Sequence, residues 1–368
     1  MSDLRFPGNE SGVSTAANYV SRAQARQLAA RIIPPGSVVF PKVGAALLGN
    51  ARAQTLHECL IDNNMMAVVP HAGDPRYWLY LLSTIDLGEL SLGGPLPYVS
   101  EAQVRDIRVS VPPLDEQRRI ADFLDAATAR LDTLAALHKR TRHAIAGRAR
   151  AYVDDVAARV TSTVRFKYVV RYREGPGIMA ADFRESGVPL VRVAGLKGRS
   201  ASLAGCNYLD ESKVLTSWRK FRIRMGDYLL SASASTGQVS VVDDPDLVGA
   251  VPYTGIIILR PARPDVDMGF VEAMLASSMF LSQIDQLKAG MAIQHFGPTH
   301  LSSVDLPWLD RAERTKIGHN YQRLLNEASS LCGRLDRALN LLEERRQALI
   351  MAAVTGQIEV ATARGVDV

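Results

Sequence analysis

Apolar residues at Ile317, Tyr321, Leu324, Ala328, Leu331, Leu335, Ala338, Leu342 and Leu349 fall on alternating steps of four and three, with only Arg345 interrupting. A repeat of 3.5 residues held over more than four heptads specifies a coiled-coil helix, because it keeps one narrow stripe turned toward one partner. The run MAAVT and then Gly356 supply the stop. A second stripe follows Pro112–Pro113 and runs through Ile120, Leu124, Ala127, Leu131 and Leu134. It weakens at His138 and Thr141 and resumes at Ile145. About 40 residues of helix make a rod of about 60 Å. Neither rod can hide its stripe alone, so each is expected to pack on the other.

The stretches before these rods differ in kind. Short β-branched runs (Ser37–Phe40, Met66–Val69, Leu190–Val193, Asp227–Leu230, Gly255–Leu259) are punctuated by Gly and Pro. Helical stretches such as Tyr77–Thr84 and Gly269–Leu287 interleave with them. Each stretch reads as a mixed α/β domain, and the chain as an α+β protein.

Self-comparison joins the two halves. Asn18-Tyr19-Val20-Ser21 matches Asn207-Tyr208-Leu209-Asp210 at an offset of 189, and Gly36–Phe40 matches Gly226–Leu230 at 190. Lys42-Val43-Gly44 and Ser235-Thr236-Gly237 follow. Pro112 precedes Leu114-Asp115 as Pro307 precedes Leu309-Asp310, and Ile120 and Ile317 open the heptads at an offset of 197. The chain is therefore expected to be a pseudo-twofold duplication. A first globular domain spans 1–113, a first spacer helix 114–160, a second domain 161–309, and a second helix with the C-terminal tail 310–368. About 43 residues separate Arg165 from Tyr208, whereas only 18 precede Tyr19. The first copy is thus expected to lack roughly 25 residues at its N-terminal edge, either by trimming or because translation begins upstream. If the second domain is inserted between the rods, the second rod folds back antiparallel to the first. Two reading heads on a rigid spacer suit a bipartite DNA site, whose half-sites lie about 34 Å apart per helical turn.

Composition adds little. The net charge is +5, and 35 of the 43 basic residues are Arg. Arginine suits bidentate contacts to phosphate and guanine, but GC-rich coding raises it as well. Cys59, Cys206 and Cys332 lack CxxC spacing and read as reduced thiols. No apolar run reaches the length of a membrane span. There is no GxxxxGK[ST] loop and no HExxH, and the histidines lack zinc-like partners.

The run Val111-Pro112-Pro113-Leu114-Asp115-Glu116-Gln117-Arg118-Arg119-Ile120-Ala121-Asp122-Phe123-Leu124-Asp125 resembles the start of the conserved helix in specificity subunits of type I restriction-modification enzymes. LLEERRQALIMAAVTGQIEV, at Leu341–Val360, resembles the end of that family's second conserved helix. Val188–Val193, Met225–Leu230 and Gly237 resemble its target recognition domains. One departure stands at the second helix start, where Arg311-Ala312-Glu313-Arg314 replaces the Glu-Gln pair.

The resemblance implies a non-catalytic, cytoplasmic subunit that takes part in DNA methylation and defence against foreign DNA. Two target recognition domains would read double-stranded DNA. The antiparallel coiled-coil helices would space them and dock two DNA methyltransferase subunits, with restriction/translocase subunits in the full complex. S-adenosylmethionine, ATP and Mg would belong to those partners, so this chain would hold no cofactor and no metal.

DNA contacts are expected from polar loops that follow strands or contain Gly. In the second domain these are Arg192, Lys197, Arg199, Ser233, Ser235, Thr236, Gln294 and His295; in the first, Lys42, Arg52, Asn63 and Asn64. Lys139, Arg140, Arg142, Arg148 and Arg150 form an acid-free run on the first helix, either a solvated face or one that contacts spacer-DNA phosphate or an acidic partner surface. Ile120, Leu124, Leu131, Leu134, Ile317, Leu324, Leu331, Leu335 and Leu342 are expected to pack the helix pair. Two other readings stand beside this one: a coiled-coil scaffold with protein-binding heads, and a specificity protein of a related defence complex. A self-sufficient nuclease is a third class, for which no catalytic signature is present.

Overall fold

The computed structural model describes residues 2–6, 9, 12–91, 96–232, 237–288 and 296–360. The chain divides into two units: Met1–Lys139 with Asp336–Val368, and Arg140–Leu335. Each unit therefore takes one head and part of each long helix.

The first unit contains helix α1 (Arg22–Gln27), strand β1 (Val38–Pro41), α2 (Ala45–Leu48), β2 (Ala53–Gln54), β3 (Met65–Val68), α3 (Pro75–Ser83), α4 (Leu87–Leu90) and α5 (Glu101–Arg105). The long helix α6 (Leu114–Arg159) begins here. It starts directly after Pro112–Pro113, where proline holds the preceding backbone extended, and Asp115 and Glu116 complement its dipole. The sheet is antiparallel in the order β2-β1-β3, and β1 is buried along its whole length. Helix α3 is started by Asp74, which accepts the Arg76 amide, and by Pro75 at its first position. Its Tyr77, Tyr80 and Leu81 form one cluster with Ile120, Ala121 and Leu124 of α6 and with Ile350 and Ala353.

The second unit contains β4 (Thr163–Arg165), α7 (Phe166–Val169), β5 (Val170–Glu174), β6 (Phe183–Arg184), β7 (Val188–Val191), β8 (Asn207–Leu209) and α8 (Glu211–Thr216). It continues with β9 (Tyr228–Ser231), β10 (Val239–Val241), β11 (Val251–Pro252), β12 (Ile256–Pro261), α9 (Met268–Leu275), α10 (Ser278–Lys288), α11 (Pro298–Leu301), β13 (Asp305–Pro307) and the start of α12 (Arg311–Val354). Its sheets run β10-β9-β12-β5 and β11-β7-β8-β6, with β13 paired to β4. Alternation along β9 and β12 separates two cores. Leu230, Ile257 and Leu259 face α9, α10 and the long-helix residues Ala149, Val153, Tyr321 and Leu324. Leu229, Ile256 and Ile258 face Val191, Leu196, Ile223 and Leu247.

Both units repeat one plan. Gly36 and Gly226, matched from sequence, turn into β1 and β9 with φ of 81° and 79°, a conformation glycine alone adopts cheaply. Ser21 caps α1 and Asp210 caps α8. Parallel bridges join Val13 to Thr55 and Ser200 to Val241. The copies differ at the sheet edge. In the second, β5 lies beside β12; in the first, β3 pairs only with β1 among the described residues.

Within each unit the long helices run antiparallel. In the first, Arg346 approaches Asp132 at 3.5 Å while Ile350 and Ala353 lie with Leu124. In the second, the Cys332 thiol donates to the Arg142 carbonyl at 3.9 Å, and Asn320 Nδ2 donates to Tyr152 Oη at 3.4 Å. Burial of the stripe is uneven. Ile120, Leu124, Leu131 and Leu324 are buried, Leu134, Ile317, Leu335 and Leu342 are half-buried, and Leu331 is 38% exposed. Where a head packs on the stripe, side chains are enclosed from several directions. At Leu331, the cleanest heptad in sequence meets much less cover.

Candidate nucleic-acid interface

The start of each long helix is locked to its head. Gln117, in the first turn of α6, is buried: its Oε1 accepts the Asp74 amide at 2.9 Å and its Nε2 donates to the Pro112 carbonyl at 2.8 Å. One side chain thus ties the helix start to the N-terminus of α3. Arg76 adds ion pairs to Asp74, Asp122 and Asp125, and these three carboxylates hold its guanidinium charge above the ordinary range.

The second copy performs the same task with a different residue. Arg314 stands 197 positions after Gln117 and is 3% exposed. Its Nη1 donates to the carbonyl five residues earlier, Leu309, at 2.9 Å, as Gln117 does to Pro112. Its Nη2 donates to the Asp265 carbonyl at 3.0 Å, just before the N-cap of α9, and its guanidinium lies 4.0 Å over Trp308. Burial lowers its pKa. The departure from the Glu-Gln pattern is therefore a substitution of donor chemistry at a retained joint. Sequence reasoning missed this, although the 197-residue offset places Gln117 and Arg314 in register.

The expected contact residues fall into four groups. Lys42, Asn63, Asn64 and Lys197 stand at exposed or half-buried turns. The Lys42 amide donates to the Asn64 carbonyl at 2.9 Å, which brings those two together beyond β1 and β3. Arg192, at the end of β7, is fixed: its guanidinium stacks 4.3 Å over Tyr253, lies 5.9 Å from Phe183, and donates from Nη1 to Asn207 Oδ1 at 2.9 Å. A guanidinium held this way loses little entropy on making a bidentate contact.

Two arginines are occupied internally. Arg52 donates to the Ile85 carbonyl and to Asn50, and burial pulls its pKa down to about 10. Arg199 pairs with Glu272 at 3.3 Å, a buried carboxyl on the otherwise apolar α9. A DNA contact from either would first have to break these bonds. Ser233, Ser235, Thr236, Gln294 and His295 lie outside the described residues.

On the first long helix, Lys139 is exposed in the first unit. Arg140, Arg142, Arg148 and Arg150 are exposed in the second. Arg150 lies 3.9 Å from Asp154 and donates to Ser278 Oγ at 3.3 Å. Among the described residues, no group of three or more His, Cys, Asp or Glu could hold a metal ion, and no helix is long and apolar enough to cross a membrane.

The sequence profile of the type I restriction modification DNA specificity domain matches residues 30–141. Over that segment the chain is similar to type I specificity subunits. The matched segment takes in the first sheet, α3, the Gln117 joint and the opening of α6. The StySPI type I specificity subunit of Salmonella potsdam is 28% identical over 103 residues, which is 28% of this chain and 22% of that protein. A structure from a study of complex assembly and conformational transition of the type I restriction-modification system superposes with a TM-score of 0.68 at 17% identity. It covers 89% of this chain and 84% of that one, so the fold is shared along most of the length. An HsdS subunit from Thermoanaerobacter tengcongensis gives a TM-score of 0.46 at 17% identity, covering 89% and 82%.

Proposed function

We propose that this chain is a type I specificity subunit that reads a bipartite double-stranded DNA sequence, one half-site per head, and performs no chemistry itself. The observation that carries this reading is the repetition of the matched specificity domain's plan, helix joint included, in the second unit. Arg192 is assigned to base reading, because a stacked guanidinium presents its remaining N–H groups in a fixed fork suited to guanine. Lys42, Asn63, Asn64 and Lys197 are assigned to the polar contact set. The long helices are assigned to spacing the heads and docking two methyltransferase subunits, with restriction/translocase subunits completing the assembly. S-adenosylmethionine, ATP and Mg are then the partners' ligands, and the complex acts in the cytoplasm.

Mapping methylated adenines across the source genome tests the reading. The expected result is a bipartite motif that disappears when this gene is deleted. An unchanged methylome, in a strain whose partner subunits are active, would refute it.

A further inference from the structure

Among the described residues, ion pairs engage many of the arginines, including Arg22, Arg76, Arg105, Arg159, Arg263 and Arg323. One region of the second unit departs from this habit. Trp218, Phe221 and Ile223 anchor the segment after α8: Trp218 and Ile223 are buried in separate cores, and Phe221 is half-buried. With those positions turned inward, Arg219, Lys220, Arg222 and Arg224 are all left exposed.

The outer face of the edge strand β5 adds to them. Val170 and Tyr172 pack with the core beneath, so Arg171 and Arg173 project on the opposite face and are exposed. Arg173 Nη1 donates to the Lys220 carbonyl at 2.6 Å, which joins strand and segment into one surface. Arg260, opposite Arg171 in the register, donates to the Arg222 carbonyl at 3.1 Å and neutralises Asp227 at 2.6 Å. The nearest acid in the segment is therefore consumed. Among the described residues, none of the six exposed cations has an ion-pair partner. Phe221 lies beneath two of them, with Arg173 at 5.8 Å and Lys220 at 5.2 Å.

We infer that Arg171, Arg173, Arg219, Lys220, Arg222 and Arg224 form a phosphate-binding surface that holds the DNA backbone. Six like charges without an ion-pair partner among the described residues raise the local potential, and a polyanion lowers that cost. The backbone hydrogen bonds from Arg173 and Arg260 fix the surface in place. Such a surface positions the duplex without reading its sequence, a role separate from that of Arg192. The inference rests on the DNA-reading function proposed above.

The test replaces Arg171, Arg219, Lys220 and Arg224 with Gln in the full-length chain, co-expressed with its methyltransferase subunits. Arg173 and Arg222 are left alone because their side chains also bond to backbone carbonyls. Binding is measured to a duplex with the mapped site and to a scrambled duplex, from roughly 50 to 200 mM salt. Both duplexes should weaken by the same factor, about ten- to a hundredfold. The slope of log affinity against log salt should become shallower by roughly 2 to 4, at about 0.9 per lost phosphate contact. A companion variant with Arg171, Arg219 and Arg224 changed to Lys should keep the wild-type slope, which separates charge from folding damage. An unchanged slope in the Gln variant overturns the inference. So does intact DNA binding with loss of the co-purifying subunits, which would make the surface a protein contact. If the wild-type complex binds both duplexes equally while the slope still changes, sequence reading fails and the phosphate surface stands. If it binds neither, both fail.

Discussion

Replacing Arg314 separately with Ala and with Gln tests whether the two helix joints are equivalent. Alanine removes two charge-assisted hydrogen bonds, to Leu309 and Asp265, and the packing over Trp308. Hydrogen bonds from charged groups contribute about 1.5–3 kcal/mol each. Against this stands the cost of burying the guanidinium, whose Nε has no partner among the described residues. The net loss for Ala is expected at about 3 kcal/mol. Glutamine stands where Gln117 stands in the first copy and can bond the carbonyl five residues earlier, while relieving the buried charge. Its loss is expected at about 1 kcal/mol. The assay is native-state hydrogen exchange read on peptides covering α9 and the start of α12, which reports local opening free energy. The difference of about 2 kcal/mol between the variants corresponds to more than tenfold in exchange rate. Equal losses for Ala and Gln would refute the equivalence, and losses below about 0.5 kcal/mol for both would refute the joint itself.

Other outcomes follow from burial and charge. Leu124→Ala, in the centre of the first unit's core, should cost about 2–5 kcal/mol, whereas Leu331→Ala should cost under about 1 kcal/mol despite its ideal heptad position; paired urea titrations check this. Burial raises the Glu272 carboxyl above its usual range in the folded state. Its contribution is therefore fully present below the ordinary glutamate pKa and is lost as pH rises through the folded value. Glu272→Gln should flatten the second unit's stability over that window, and an unchanged pH profile in thermal melts would refute this. Gly226→Ala meets no atom within 4 Å, so only backbone strain at φ 79° opposes it; the expected cost is about 1–2 kcal/mol by urea unfolding.

Periodicity made the long helices legible, because a 3.5-residue stripe suits a paired helix and little else. Gly36 and Gly226 were legible for a similar reason, since each occupies a turn that other residues enter only at a cost. The joint at Gln117 and Arg314 was not legible, because amide and guanidinium look unrelated until both are seen donating to the same relative carbonyl. The burial of Arg52 and Arg199 was hidden as well: exposure of a polar loop residue is a tertiary property. Glu272, a lone acid within MGFVEAML, was the available signal that some cation must approach α9. The Arg219–Arg224 segment contains none of the glycines that mark a polar loop, yet its cations interleaved with Trp218, Phe221 and Ile223 mark an anchored basic strip. Leu331 shows the opposite error, since a repeat specifies which side faces a partner but not how much of it the partner covers.

The division of the long helices between the units bears on how the protein is made. The first unit consists of Met1–Lys139 together with Asp336–Val368. One of its core clusters includes Ile350 and Ala353, so Tyr77, Tyr80 and Leu124 have no complete cover until those two residues have left the ribosome. The second unit, Arg140–Leu335, emerges in one continuous piece. At about 5–20 residues per second, its roughly 200 residues take about 10–40 s to synthesise. Over that interval the Tyr77–Leu124 cluster lacks Ile350 and Ala353, whereas the segment that forms the second unit becomes complete. The connectivity therefore permits the second unit to complete its core before the first.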